Sequence, residues 1–236
     1  MNHDALVRYF ADLATRLMAA RTVEGTMRII VDSAVEVIDG CDHCSISHIR
    51  GRSLVSASSS DSAGLVLDGI QTGADEGPCL DAIRTGEVQV AEDLTDDPRW
   101  PVYGPRAVES AGVHSSMGQP LHDGGRVIGA LNLFGDRVGA FRDDPDDAAM
   151  ASILAAHATP ALVAALYRED MERALASRDV IGQAKGMLMA RTGLDDDAAF
   201  DLLVKASQRM QVKLAEVARR LIEGTLDADT RGDAHG

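Results

Sequence analysis

Lysine is nearly absent from this chain. Only Lys185, Lys205 and Lys213 occur in 236 residues, and all three lie in one C-terminal stretch. Aromatic residues are scarce at 3%, with one tryptophan, Trp100. Cysteine is limited to Cys41, Cys44 and Cys79, and so small and odd a number does not suggest a disulfide framework. No run of about 18 apolar residues occurs, which disfavours a membrane span. The opening stretch MNHDALVRYFADLATRL reads as an amphipathic helix with acidic groups rather than a signal peptide, so the expected location is the cytoplasm. A Gly-rich phosphate loop and a phosphoacceptor receiver pattern are both missing, which disfavours a kinase, an NTPase or a phosphorylated response regulator. Nothing in the sequence names a cofactor.

What is present is an apolar fraction of 45%, ordinary for a globular protein, and enough length for one or two domains. The net charge is −14, at first sight a poor match for a polyanionic partner. The charge is unevenly spread. Residues 1–170 hold 13 basic and 26 acidic side chains, residues 171–224 hold 9 and 8, and residues 225–236 hold 1 and 3. Phosphate contacts need local positive charge, not a basic whole protein. The near-neutral stretch can supply it from one face.

That stretch, RDVIGQAKGMLMARTGLDDDAAFDLLVKASQRMQVKLAEVARRLI (178–222), carries three apolar stripes at helical spacing. Val180, Ile181, Ala184, Met187 and Leu188 form the first. Ala199, Leu202, Leu203, Ala206 and Met210 form the second, entered through Asp195 as N-cap with Asp196 and Asp197 in the first turn. Leu214, Val217, Ala218 and Leu221 form the third, with Gln211 read as its cap. Three such helices can enclose one small core. Arg178 and Lys185 share a helix face, as do Lys205 and Arg209, and Lys213 and Arg220. These cations form either a solvated polar face or one basic surface. Gly182 and Gly186, inside a helix, each cost roughly 1 kcal/mol relative to Ala, which suggests close approach by a neighbouring helix or an RNA backbone.

RDVIGQAKGMLMARTG, AAFDLLVKASQRM and KLAEVARRLIEG, taken in order, resemble the ANTAR domain, a three-helix RNA-binding module of bacterial antitermination regulators. The match covers roughly residues 171–224, and Val180-Ile181, Gln183 to Gly186, Ala199-Phe200, Ser207-Gln208, Leu214 and Val217-Ala218 fall in register. Where Gln211 and Val204 stand, the family often has Asn and a basic residue. The resemblance implies that Arg178, Lys185, Arg191, Lys205, Arg209 and Lys213 contact phosphates and that Gln183, Ser207 and Gln208 contact polar RNA groups. It also implies paired stem-loops in nascent transcripts as the RNA partner, with exposed loop bases as the readable part.

The N-terminal part reads as helices over 4–20 and 22–38, then a strand–turn–strand over 44–58 centred on Gly51. Residues 60–76 read as a loop. Gly77-Pro78 opens a short helix, Val88–Val90 is a short strand, and a helix covers about 105–111. Two strands over 113–121 and 126–134 join at His122-Asp-Gly-Gly, a strong hairpin signal. A helix from Asp143 runs to about Arg191, and Pro160 should kink or break it. The fold class is therefore α+β: an antiparallel sheet flanked by helices, a long connecting helix, and a C-terminal three-helix module. This order, with GADEGPCLDA (73–82), PRWP (98–101), VIGALNLF (127–134) and AAHATPAL (155–162), resembles the GAF domain that precedes ANTAR in actinobacterial regulators. It covers roughly residues 5–166. Residues 225–236 read as a disordered acidic tail.

Three constellations remain. Cys41-Asp-His-Cys44 is a C-x-x-C without a second pair, so packing cysteines compete with a metal or redox reading. Cys79 lies at a helix entry, where a thiol pKa can fall; within the resembled fold that segment borders the ligand cavity. Its alternatives are redox sensor, ligand contact and buried turn thiol. Trp100 reads either as part of the pocket mouth or as a packing anchor. Some GAF-fold proteins reduce free methionine sulfoxide with cysteines, but fusion to an ANTAR-like module argues against an enzyme. The expectation is a homodimeric RNA-binding antitermination regulator acting on RNA polymerase indirectly, with a GAF-like domain that senses an unidentified small molecule or redox state, dimerises the protein, or both. No membrane partner is expected. The alternatives are a sensor whose helices only oligomerise, and a DNA-binding helix-turn-helix.

Overall fold

A computed structural model describes residues 3–51, 53–142 and 145–225. The expected acidic tail lies, beyond Thr225, outside the described residues. The chain divides into two compact units, Met1–Tyr167 and Arg168–Gly236.

The first unit opens with α1 (His3–Ala19) and α2 (Val23–Val37). Thr22 caps α2 by accepting the Gly25 N–H at 3.0 Å. Among the described residues five strands follow: β1 (His43–Arg50), β2 (Ser53–Ser59), β3 (Gln89–Ala91), β4 (Ser115–Asp123) and β5 (Arg126–Gly135). They form one antiparallel sheet in the order β2-β1-β5-β4-β3. Between β2 and β4 lie α3 (Ser62–Ala74), α4 (Pro78–Thr85) and α5 (Tyr103–Ala111), and α6 (Pro145–Thr192) follows β5. The whole is α+β.

Strand alternation divides the sheet's two faces. Cys44, Ile46, Met117, Leu131 and Leu133 face an apolar core that includes Leu13, Ile30, Val31, Leu154 and Leu162 from the long helices. The residues between them, Ser45, Ser47 and Asn132, face the other way and meet Asp68 of α3. Beside this polar patch, Phe134 joins Leu67, Leu94, Trp100, Tyr103 and Val113 in a second core. Gly118 lets α4 approach β4, because a Cβ there would lie 2.4 Å from the Pro78 carbonyl oxygen.

The helix α3 corrects the loop expected over residues 60–76. Asp61 caps it by accepting the N–H groups of Ala63 at 2.9 Å and Gly64 at 3.3 Å. Its amphipathy is blurred. Gly64, Leu67, Asp68 and Gln71 are buried, whereas Leu65 and Val66 are exposed. A reading based on apolar periodicity therefore misses it.

Pro160 does not break α6, which continues to Thr192. Pro160 and Ala156 are both solvent-exposed, so the carbonyl that loses its helical donor can be hydrated. One 18-residue window of this helix, with mean hydropathy 1.7, has the length and composition to cross a membrane. Ala151, Leu154, Ala155, Ala158, Leu162 and Ala165 are nevertheless buried, and all but Ala165 belong to the first unit's apolar core.

The second unit consists of the later part of α6, α7 (Asp196–Met210) and α8 (Leu214–Ile222). Ala184, Leu188, Ala199, Leu203, Val217, Ala218 and Leu221 form its core. Gly193, at φ +72°, ends α6 by donating to the Met189 carbonyl. Asp195 caps α7 as expected, accepting the Ala198 N–H at 2.8 Å. Gln211 is not the cap of the third helix. It is the C-cap of α7, in the left-handed region at φ 54°, and Lys213 is the N-cap of α8.

Candidate functional site

Two places bring chemistry-bearing side chains together, one in each unit. In the first, Asp68 accepts from Ser45 Oγ at 2.8 Å and from Asn132 Nδ2 at 3.0 Å. One turn later, Gln71 Oε1 accepts the Cys79 backbone N–H at 2.9 Å. Gly77, at φ +131°, makes that turn beneath Gln71. Gln71 is 2% exposed and Asn132 1% exposed, yet Gln71 Nε2 and Asn132 Oδ1 find no hydrogen-bond partner. Unpaired buried polar atoms are costly. Beside Gln71 is a cavity of about 10 Å³ bordered by Ser47, Asp68, Gln71, Cys79 and Leu80, with room for about one water.

Cys79 borders this cavity, but it is not an activated thiol. Burial, with the charge of Asp68, pushes it up to about 12. This outweighs the lowering expected at a helix N-terminus. Cys44 is also held well above its ordinary range by burial and by contact with Cys41. His43, between them in sequence, turns away. Its Nδ1 meets Asp61 at 2.5 Å and its Nε2 meets Asp136 at 3.1 Å. Among the described residues no three His, Cys, Asp or Glu side chains group as a metal site requires.

Trp100 is 1% exposed in the second core. Its Nε1 donates to Asp81 Oδ2 at 2.8 Å, and the Arg99 guanidinium lies 4.1 Å from its ring centre. Glu76 reaches across to accept the N–H groups of Val102 at 2.8 Å and Tyr103 at 3.1 Å. The EGPC and RWP segments are therefore held together by Glu76 and Asp81, and Trp100 serves there as an anchor.

In the second unit, a groove of about 720 Å³ brings together Arg178, Gln183 and Lys185 from α6. Gly182 and Ile181 form part of its wall, Asp179 contributes one negative charge, and Phe200 of α7 lines it too. Apart from the helix's own adjoining backbone, no described atom lies within 4 Å of where a Cβ would stand on Gly182 or Gly186. Among the described residues, no other part of the chain closes on those glycines. Lys185 is already engaged, with Nζ 2.5 Å from Asp196 Oδ1.

The remaining predicted contacts lie outside the groove. Arg191, Lys205, Gln208, Arg209 and Lys213 are exposed. Ser207 is half-buried and its hydroxyl donates to the Val212 carbonyl at 2.6 Å, closing the turn between α7 and α8. Sequence reasoning did not single out Asp68, Gln71, Asn132 or Phe200. For Phe200 a signal existed: it is the one aromatic residue in positions 168–236.

Residues 20–163 match the GAF domain family and residues 169–222 match the ANTAR domain family. No curated protein matches the chain. Among solved structures, free methionine-R-sulfoxide reductase from Neisseria meningitidis, in complex with its substrate, is similar at 18% identity. That match covers 71% of this chain and 94% of the other, with a TM-score of 0.54. The GAF domain of Acinetobacter phosphoenolpyruvate-protein phosphotransferase is 16% identical over 71% and 97%, with a TM-score of 0.54. The chromophore-binding domain of a bacteriophytochrome from R. palustris is 13% identical over 70% and 64%, with a TM-score of 0.53. At these identities the structures establish the fold alone. ANTAR is an RNA-binding antitermination domain and GAF a sensory and dimerisation domain, and with the two in this order the chain belongs to the GAF–ANTAR regulators.

Proposed function

We propose that this protein binds paired stem-loops in nascent RNA through residues 171–224 and so prevents transcription termination, acting on RNA polymerase only indirectly. The observation that carries the reading is the groove that gathers Arg178, Gln183 and Lys185 beside an open Gly182. Cations and an amide around an unobstructed backbone suit phosphate and polar nucleotide groups. Arg191, Lys205, Arg209 and Lys213 extend the phosphate contacts, and Gln208 and the Ser207 hydroxyl add polar ones. Binding is modest and strongly salt-dependent for one protomer, because the stretch is nearly neutral. A homodimer doubles the contacts. Met171 and Leu175, exposed one turn apart on α6, offer apolar area for that association.

Residues 5–166 act as the sensor, with Cys79, Gln71 and Asp68 around its polar cavity and Trp100 fixing the adjoining segments. A small polar ligand satisfies the unpaired Gln71 amide, and admitting anything larger than a water requires α3 or α4 to move outward. The buried, high-pKa thiols of Cys44 and Cys79 support a regulator rather than a thiol enzyme. The place of action is the cytoplasm, where transcripts are made.

The test is the affinity of the full-length protein for a two-stem-loop RNA at two salt concentrations, beside a duplex DNA of equal charge. Loop-dependent RNA binding that DNA does not displace is expected. Preference for the duplex would favour a helix-turn-helix instead.

A further inference from the structure

We propose that the groove beside Phe200 is a base pocket: it takes one unpaired nucleobase of the RNA loop, stacked on the Phe200 ring. This inference rests on the RNA-binding reading above and adds to it the part of the RNA that enters. Phe200 is 40% exposed, although an aromatic ring gains most from burial. The three-helix core is complete without it. An aromatic left at a groove wall, as the unit's single aromatic residue, has an unused π-face.

The groove's other groups suit a nucleotide. Gly182 presents bare backbone with nothing within 4 Å of its absent side chain, so a sugar or base edge can approach closely. Gln183 supplies an amide that can both donate to and accept from a base edge. Arg178 and Lys185 flank it as cations for the adjoining phosphates. Two cations and a neutral amide outnumber the single acid, Asp179, which favours a polyanion over an acidic peptide. A base within a helical stem is stacked on both faces and has none free, so the occupant is a loop nucleotide. Stacking is tolerant of base identity, and Gln183 is then the residue that discriminates.

The experiment uses the full chain and a two-stem-loop RNA carrying 2-aminopurine at each loop position in turn. For the native protein, one position is expected to change fluorescence sharply on binding. Phe200→Leu keeps apolar bulk and removes the π-face. It should weaken binding about 5- to 150-fold, the range found on truncating base-stacking aromatics. The fluorescence change should disappear, and the salt slope should stay as it was because every cation that meets a phosphate remains. Phe200→Tyr should bind like the native protein. If Phe200→Leu binds as tightly and the same 2-aminopurine still responds, the base pocket is wrong while RNA binding stands. If the native protein binds no RNA, both readings fall together. If Phe200→Leu instead dissociates the dimer in sedimentation, the groove is a protein interface and the inference is overturned.

Discussion

The two units treat polar side chains in opposite ways. In the first, Ser45, Ser47, Asp68, Gln71 and Asn132 are buried on one face of the sheet, and several bond to one another. In the second, every buried side chain among the described residues is apolar, and the cations and amides remain on the surface. A buried polar group is held by its partners, and removing one leaves the other unsatisfied. A surface cation is held by little and remains available to a ligand. Substitution of polar and anchoring residues should therefore read out as stability in the first unit and as binding in the second.

The largest expected effect is at Trp100. Trp100→Ala removes a side chain that fills the core and leaves the Asp81 carboxylate without its indole donor. The first unit should lose about 3–5 kcal/mol, measured by circular dichroism in urea. A loss below about 1 kcal/mol would place Trp100 among surface residues and erase the contrast at its strongest point.

Next comes Lys185→Ala with Arg209→Ala. Unfolding should stay within about 0.5 kcal/mol, while RNA affinity falls. The slope of log K against log salt should flatten by about 1.4, at roughly 0.7 for each single-strand phosphate that no longer meets a cation. Unchanged binding removes these residues from the interface. The ion pair between Lys185 and Asp196 sharpens the test. RNA must displace that carboxylate, so Asp196→Asn should tighten binding.

The same contrast explains what the sequence revealed. The three C-terminal helices share one small apolar core, so their apolar stripes stand out, and Asp195 caps α7 where its side chain suggested. The strands around Gly51 and the hairpin over His122 to Gly125 were equally plain, because turn residues mark them. Helix α3 was not legible. Its buried face mixes Leu67 with Asp68 and Gln71 and its exposed face carries Leu65 and Val66, so the usual contrast between the faces is blurred. The polar cavity was hidden for the same reason. Its residues come from β1, β2, α3 and α4, and only the tertiary fold brings them together. The Cys79 pKa was not legible either, because local position at a helix entry says nothing of burial, and burial wins.

A smaller effect is expected at Gly186. Nothing lies within 4 Å of its absent side chain, and its backbone is helical. Gly186→Ala should raise the stability of the second unit by up to about 1 kcal/mol. A destabilised variant would show that another copy of the chain closes on this face. A stabilised variant with weakened RNA affinity would mean the glycine is kept for a ligand's approach rather than for folding.

The smallest effect tests the contrast at its margin, where a polar cluster of the first unit reaches the surface. Burial lowers the His43 pKa, but the hydrogen bonds and charges of Asp61 and Asp136 outweigh it and raise the ring above its ordinary 6.5. Burial raises Asp61, while the bond from His43 and the N–H groups of Gly64 and Ala63 bring it below 3.8. The signs then fix a window. The raised His43 contributes fully below about 6.5, and that contribution is lost as pH rises through its folded value. The lowered Asp61 contributes above about 3.8, and that contribution is lost as pH falls. The cluster stabilises most between the two. The difference in melting temperature between the native protein and His43→Gln should shrink steadily as pH is raised from about 6 to 9. A difference that stays constant across that range would mean the ring is neutral throughout, held by hydrogen bonds alone, and that this cluster behaves like the buried network beneath the sheet.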